Sequence, residues 1–142
     1  MLVIILLFKG VIEDMAFLFY TNSSGKTKKQ LQEIIHARMP GEEMEVYRTF
    51  DSLSNRLLRP LEGLSVAVLL VSSMEDLSNI LTLCNVLWDM RLILILPDRN
   101  HETIMKGHQL RPRFLTHADC NPTEVAEVLC NMLKKYTQMR PF

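Results

Sequence analysis

Cysteine is scarce in this sequence: Cys84, Cys120 and Cys130 are the three among 142 residues. An odd, small set does not make a disulfide framework, and reduced thiols in a cytoplasmic protein are the expectation. An excess of charge is also lacking, because 16 Lys and Arg balance 16 Asp and Glu. Without surplus positive charge, nonspecific nucleic-acid binding is not expected. A membrane-spanning run is missing as well. The apolar stretch Met1–Phe8, "MLVIILLF", is too short to cross a bilayer. It has no positive leader and no small-residue cleavage site, so it makes a poor signal peptide.

What is present is the composition of one globular domain, with 48% hydrophobic and 23% charged residues. The boundaries drawn are an N-terminal apolar segment over 1–14, a domain over 15–137 and a tail over 138–142. Residues 1–14 are an arm on a sheet edge, a strand that contacts a partner, or a mis-called start ahead of Met15.

Strand and helix signals then alternate. "MAFLFY" (Met15–Tyr20), "SVAVLLVS" and "RLILILPD" each carry a continuous apolar run, as strands buried on both faces do. "EMEVYRTF" is mixed and "RPRFLTH" contains Pro112, so these two belong at the edges. Between them, Leu31, Ile34 and Ile35 fall at helical spacing, with Thr27 and Gln30 as a capping box. Leu53, Leu57 and Leu58 mark a second helix, with Asp51 as its cap. Leu77 to Trp88 mark a long third helix, opened by a Ser73–Asp76 cap. The segment Asn100–Leu110 gives a weak fourth helix containing Gly107. The fifth has Asn121 as cap, Pro122 at its first position, Glu124 completing a capping box, and Lys134 and Lys135 near its C-terminus. Five such units predict an α/β fold, a single doubly wound five-stranded parallel sheet of order 2-1-3-4-5 with helices on both faces and residues 1–14 as an appendage. That winding is flavodoxin-like, and its ligands bind at the C-terminal strand ends. This puts Asn22, Ser72, Ser73, Asp98 and His117 around one cleft.

The loop "YTNSSGKTKK" (Tyr20–Lys29) supports three readings. Gly25-Lys26-Thr27 ends like a P-loop, but Tyr20 stands where that motif needs its first glycine. Ser23, Ser24, Gly25, Lys26 and Thr27 also form a hydroxyl-rich loop ahead of a helix N-terminus, which suits a phosphate. Over about ten residues this loop resembles the phosphate loop of flavodoxins, and the resemblance implies FMN as a cofactor. "SSMED" and "PDRN", after the third and fourth strands, offer no aromatic or glycine-rich platform for the flavin ring. The third reading is a polar turn with Gly25 at positive φ and Thr27 as cap, binding no cofactor; it leaves Lys26, Lys28 and Lys29 at the unfavourable end of a helix.

The C-terminal stretch "FLTHADCNPTEVAEVL" and the five-unit winding resemble response-regulator receiver domains over Met15 to Tyr136. The resemblance implies a regulatory protein-interaction module. His117 and Ala118 stand at the positions of the receiver lysine and proline. Thr21-Asn22 replace the acidic pair, Ser72 or Ser73 the phosphate-accepting aspartate, and Pro97 the hydroxyl residue that ends strand four. A receiver without these groups lacks its nucleophile, its metal ligands and its charge-neutralising lysine. The expectation is a non-catalytic pseudo-receiver that acts through a protein partner the sequence does not name.

Other constellations read as bland. His101, His108, His117 and Cys120 lack the paired spacing of a zinc site, so no metal is expected. Ser72, Ser73 and His117 suggest a hydrolase, but there is no G-x-S-x-G elbow. The wide apolar face of the third helix either packs wholly into the core or supports a homodimer.

Overall fold

The computed structural model describes residues 16–23, 25–39 and 43–139. The apolar arm, Met15 and Ser24 lie outside the described residues. The chain forms one five-stranded parallel sheet of order β2-β1-β3-β4-β5, as the strand patterns predict. Its strands are β1 (Ala16–Thr21), β2 (Met44–Tyr47), β3 (Leu64–Leu70), β4 (Arg91–Leu96) and β5 (Phe114–His117). The helices are α1 (Lys26–Arg38), α2 (Phe50–Leu57), α3 (Met74–Leu81), α4 (Cys84–Leu87), α5 (His101–His108) and α6 (Pro122–Met139).

Period-two alternation divides the central strands between two cores. Leu18, Tyr20, Leu69, Leu92 and Leu94 pack with Leu53 of α2, Leu77 and Ile80 of α3 and Leu87 of α4. Phe17, Phe19, Val66, Val68, Ile93 and Ile95 pack with Leu31 and Ile35 of α1 and Val125 and Leu129 of α6. This is why Phe17–Tyr20, Val66–Leu70 and Leu92–Leu96 run apolar without interruption, and why β1, β3 and β4 sit inside the sheet. Gly107 lets α5 lie close on β4: a Cβ there would stand 3.2 Å from methyls of Leu94 and Leu96.

Several local expectations are corrected. Helix α2 is capped by Thr49, not Asp51. Thr49 Oγ1 accepts from the Ser52 N–H at 3.1 Å, and the Ser52 hydroxyl answers the Thr49 backbone. Leu58 lies past the last turn of α2 and is 79% exposed, so it leaves the apolar face of Leu53 and Leu57.

The long third helix is two helices. The Thr82 hydroxyl donates to the Asn79 carbonyl at 2.6 Å, and the N–H groups of Thr82 and Leu83 reach back three residues rather than four. That tightened turn ends α3 and re-aims α4. Trp88, just past α4, is half-exposed; its indole N–H donates to the Gln109 carbonyl at 3.0 Å and Arg111 lies 3.9 Å over the ring. Helix α6 runs on to Met139, so Lys134 does not stand in its last turn. Among the described residues, no helix is long and apolar enough to cross a membrane.

Candidate functional site

Under the C-terminal ends of β1 and β3 lies a buried polar knot. Tyr20 closes the apolar run of β1 and is fully buried. Its hydroxyl donates to Asp76 Oδ1 at 2.7 Å. Asp76 is 3% exposed, and its Oδ2 accepts from the Ser72 N–H at 3.0 Å and the Ser72 hydroxyl at 3.2 Å. Ser73 Oγ accepts from the Asp76 N–H at 3.1 Å, which caps α3 as its spacing predicts. A buried carboxylate survives only when its oxygens are bonded in this way. Burial, and then the hydrogen bond and charge of Asp76, push the Tyr20 hydroxyl far above its ordinary range, so it stays a neutral donor. Ser72 and Ser73 are both engaged with Asp76 rather than with a histidine. The serine–histidine hydrolase arrangement therefore does not form.

A shallow cleft of about 480 Å³ opens between the ends of β4 and β5. Pro97, Asp98, Arg99, His117, Ala118 and Asp119 line it. His117 Nδ1 lies 2.9 Å from the Asp98 carbonyl. A carbonyl only accepts, so Nδ1 carries the proton and the ring braces the end of β4 against that of β5. The Asp98 carboxylate accepts from the Asn100 N–H at 2.9 Å, holding the turn into α5. Arg99 and Asp119 form an exposed ion pair at 3.0 Å across the mouth. The Arg99 hydrogen bond draws the Asp119 carboxyl below its usual range.

The Ser23–Thr27 loop differs from the capped turn expected. Gly25 has φ −74° and ψ 176°, an extended conformation open to any residue, so positive φ is not why glycine stands there. It is the N-cap residue of α1, and no side chain caps that terminus. Thr27 is the second helical residue, so the Thr27–Gln30 box does not form. The Thr27 hydroxyl instead reaches toward the Ala118 carbonyl at 3.5 Å. Thr21 Oγ1 accepts from the Ser23 N–H at 3.1 Å and donates to the Ser23 carbonyl at 3.2 Å, and Ser23 Oγ accepts from the Gly25 N–H at 3.1 Å. Lys26 is exposed and Lys28 half-buried, and the first turn carries no acid.

The predicted residues therefore fall into three groups: Ser23, Gly25, Lys26 and Thr27 at the start of α1, Asp98 with His117 in the cleft, and Ser72 with Ser73 in the knot. Asn22 sits exposed above the knot, its side chain in hydrogen-bond reach of the Tyr20 hydroxyl. The sequence reading missed Tyr20 as a polar partner and the Arg99–Asp119 pair. The one available signal for the knot was Asp76 three residues after Ser73.

The loop could offer lysine and hydroxyl groups to a phosphate. The loops after β3 and β4 hold serines, Pro97, Asp98, Arg99 and Asn100, with no aromatic face for a flavin ring. The residues present therefore do not fit FMN. Among the described residues, no three His, Cys, Asp or Glu side chains gather where a metal ion could be held.

No family model and no curated protein matches the chain. Solved structures do. A CheY-like response regulator receiver domain from Methanospirillum hungatei superposes with a TM-score of 0.67 at 13% identity, over 88% of this chain and 98% of that one. A pilus assembly-related protein from Burkholderia pseudomallei gives 0.61 at 10% identity, over 86% and 92%. A receiver domain from Rhodospirillum rubrum gives 0.61 at 9% identity, over 88% and 95%. At these identities the likeness is one of fold, and the fold of this chain is that of CheY-like receiver domains.

Proposed function

We propose that the chain is a non-catalytic, cytoplasmic receiver-like module that works through contacts with a protein partner rather than through phosphoryl transfer. The Tyr20–Asp76–Ser72 knot carries this reading. A phosphate-accepting carboxylate must be exposed at the end of β3 beside acidic metal ligands. Here Ser72 occupies that strand end and the nearby carboxylate, Asp76, is buried with both oxygens bonded. His117, in the lysine's place, is held by the Asp98 carbonyl. Partner contact through α5, β5 and α6 follows the receiver analogy, and a homodimer would use the apolar face of α3 and α4. One structural neighbour is described as pilus assembly-related, which makes a multiprotein assembly a suitable setting. Incubation with acetyl phosphate and Mg²⁺ should leave the intact mass unchanged; an acid-labile phosphoryl adduct would overturn the reading.

A second reading keeps an anion at the start of α1. It is favoured by the uncapped terminus, which carries three lysines and no acid in its first turn. Phosphate should then raise the melting temperature, and a Lys26→Ala, Lys28→Ala variant should lose that rise. If no anion binds, the same variant should be slightly more stable in phosphate-free buffer. Added FMN should leave no flavin band on the repurified protein.

A further inference from the structure

Helix α5 carries two histidines and a methionine in one line. His101, Met105 and His108 stand at i, i+4 and i+7, which at 3.6 residues per turn keeps them within about 60° of one another around the helix axis. All three are exposed, Met105 at 57%. Among the described residues their side chains make no hydrogen bond or ion pair. The opposite face of α5 is anchored: Thr103 is buried, and Gly107 lies against Leu94 and Leu96 of β4. The stripe therefore stands on a fixed backbone, where such neighbours have Cβ atoms about 5–6 Å apart. Lys106 Nζ reaches Ser78 Oγ at 3.4 Å, which draws the ammonium toward α3 and off the stripe. Glu102, one turn before Met105, pairs with no cation among the described residues and leaves a negative charge at the edge of the stripe.

We propose that His101, Met105 and His108 bind a cuprous ion. A thioether sulfur with two imidazoles is a donor set that selects soft Cu(I), whereas zinc takes thiolates, imidazoles and carboxylates. The ion sits over Met105. His101 lies one turn before it and His108 one turn after, so each imidazole leans inward to an ion held on the sulfur. The two histidines alone are too widely spaced for a zinc pair, and the methionine between them closes the set. Glu102 offsets the charge of the ion.

The test is an anaerobic NMR titration of the full chain, isotope-labelled at its methionine methyls, with Cu(I) buffered by a chromophoric cuprous chelator. The Met105 methyl signal, assigned by its loss in Met105→Leu, should shift to saturation with Cu(I) and stay in place with Zn(II). At the same chelator concentration, Met105→Leu and a His101→Gln, His108→Gln double variant should each hold one copper ion fewer than the unaltered chain. Cys84, Cys120 and Cys130 are free thiols that also take Cu(I), but copper on them neither moves the Met105 methyl nor responds to these substitutions. All three substituted positions are exposed, so unchanged signals elsewhere will show that the fold is retained. The proposal is overturned by an unmoved Met105 methyl, by unchanged copper uptake in either variant, or by an equal response to Zn(II).

Discussion

Single side chains set the character of this protein at three places. Tyr20→Phe would take one of the donors from the buried Asp76 carboxylate. Leaving such a group short of a partner costs about 1–3 kcal/mol, and urea unfolding should read that loss. Glu45 on β2 accepts from Arg56 Nε at 2.8 Å and from the Tyr47 hydroxyl at 2.7 Å. Burial alone would raise the Glu45 carboxyl, but the hydrogen bonds from Arg56 and Tyr47 and the charges of Arg56 and Arg59 outweigh it and hold it below its ordinary value. A depressed folded value stabilises the protein above the unfolded value, and that contribution fades as pH falls through the folded one. Glu45→Gln should therefore cost on the order of 1 kcal/mol at neutral pH. It should also flatten the acid side of a stability profile measured by urea midpoints. Arg111 has φ 54°, a left-handed conformation in a non-glycine residue, and it stacks on Trp88. Arg111→Ala keeps the backbone strain and loses the stack, a cost of roughly 0.5–1 kcal/mol. Arg111→Gly loses the stack but relieves the strain, so it should be the more stable of the two in thermal melts.

Among the elements, α5 gives the sharpest test. Gly→Ala inside a helix ordinarily gains about 1 kcal/mol. At Gly107 the added methyl meets Leu94 and Leu96, which sit on a fully buried strand with little room to retreat. Gly107→Ala should therefore bring no gain in melting temperature, and Gly107→Val should cost about 1–3 kcal/mol. The strands were legible in the sequence because β1, β3 and β4 are buried on both faces and show it residue by residue. Helix ends were legible only where the side-chain bond is local and conventional. Ser73–Asp76 is such a case. Thr27–Gln30 has the same pattern, yet α1 begins one residue before Thr27, and a threonine inside a helix cannot cap it. The Thr49–Ser52 box was hidden because serine, not glutamate or glutamine, makes the return bond. The break at Thr82 was hidden because threonine only mildly disfavours helix, so the apolar period ran through it. The knot joins residues 56 apart, beyond the reach of any local pattern.

For the whole molecule, the sheet order predicts a gradient of stability. Amides of β1, β3 and β4 should exchange slowest, near the rate set by global unfolding, and those of β2 and β5 appreciably faster. Uniform protection across all five strands would contradict it, and hydrogen-exchange NMR reads the difference. The same order assigns the ends of the sheet different chemistry. The C-terminal end carries carboxylates, a histidine and hydroxyls that are hydrogen-bonded within the chain, whereas the N-terminal end places Arg91 and Arg113 beside a cleft. The edge strands β2 and β5 are four residues long, against six or seven for the strands inside. A foreign strand docking on either border would find only a short row of open backbone groups, too little to template further growth. Among the described residues, the borders of the sheet thus give copies of this chain little to pair on edge to edge.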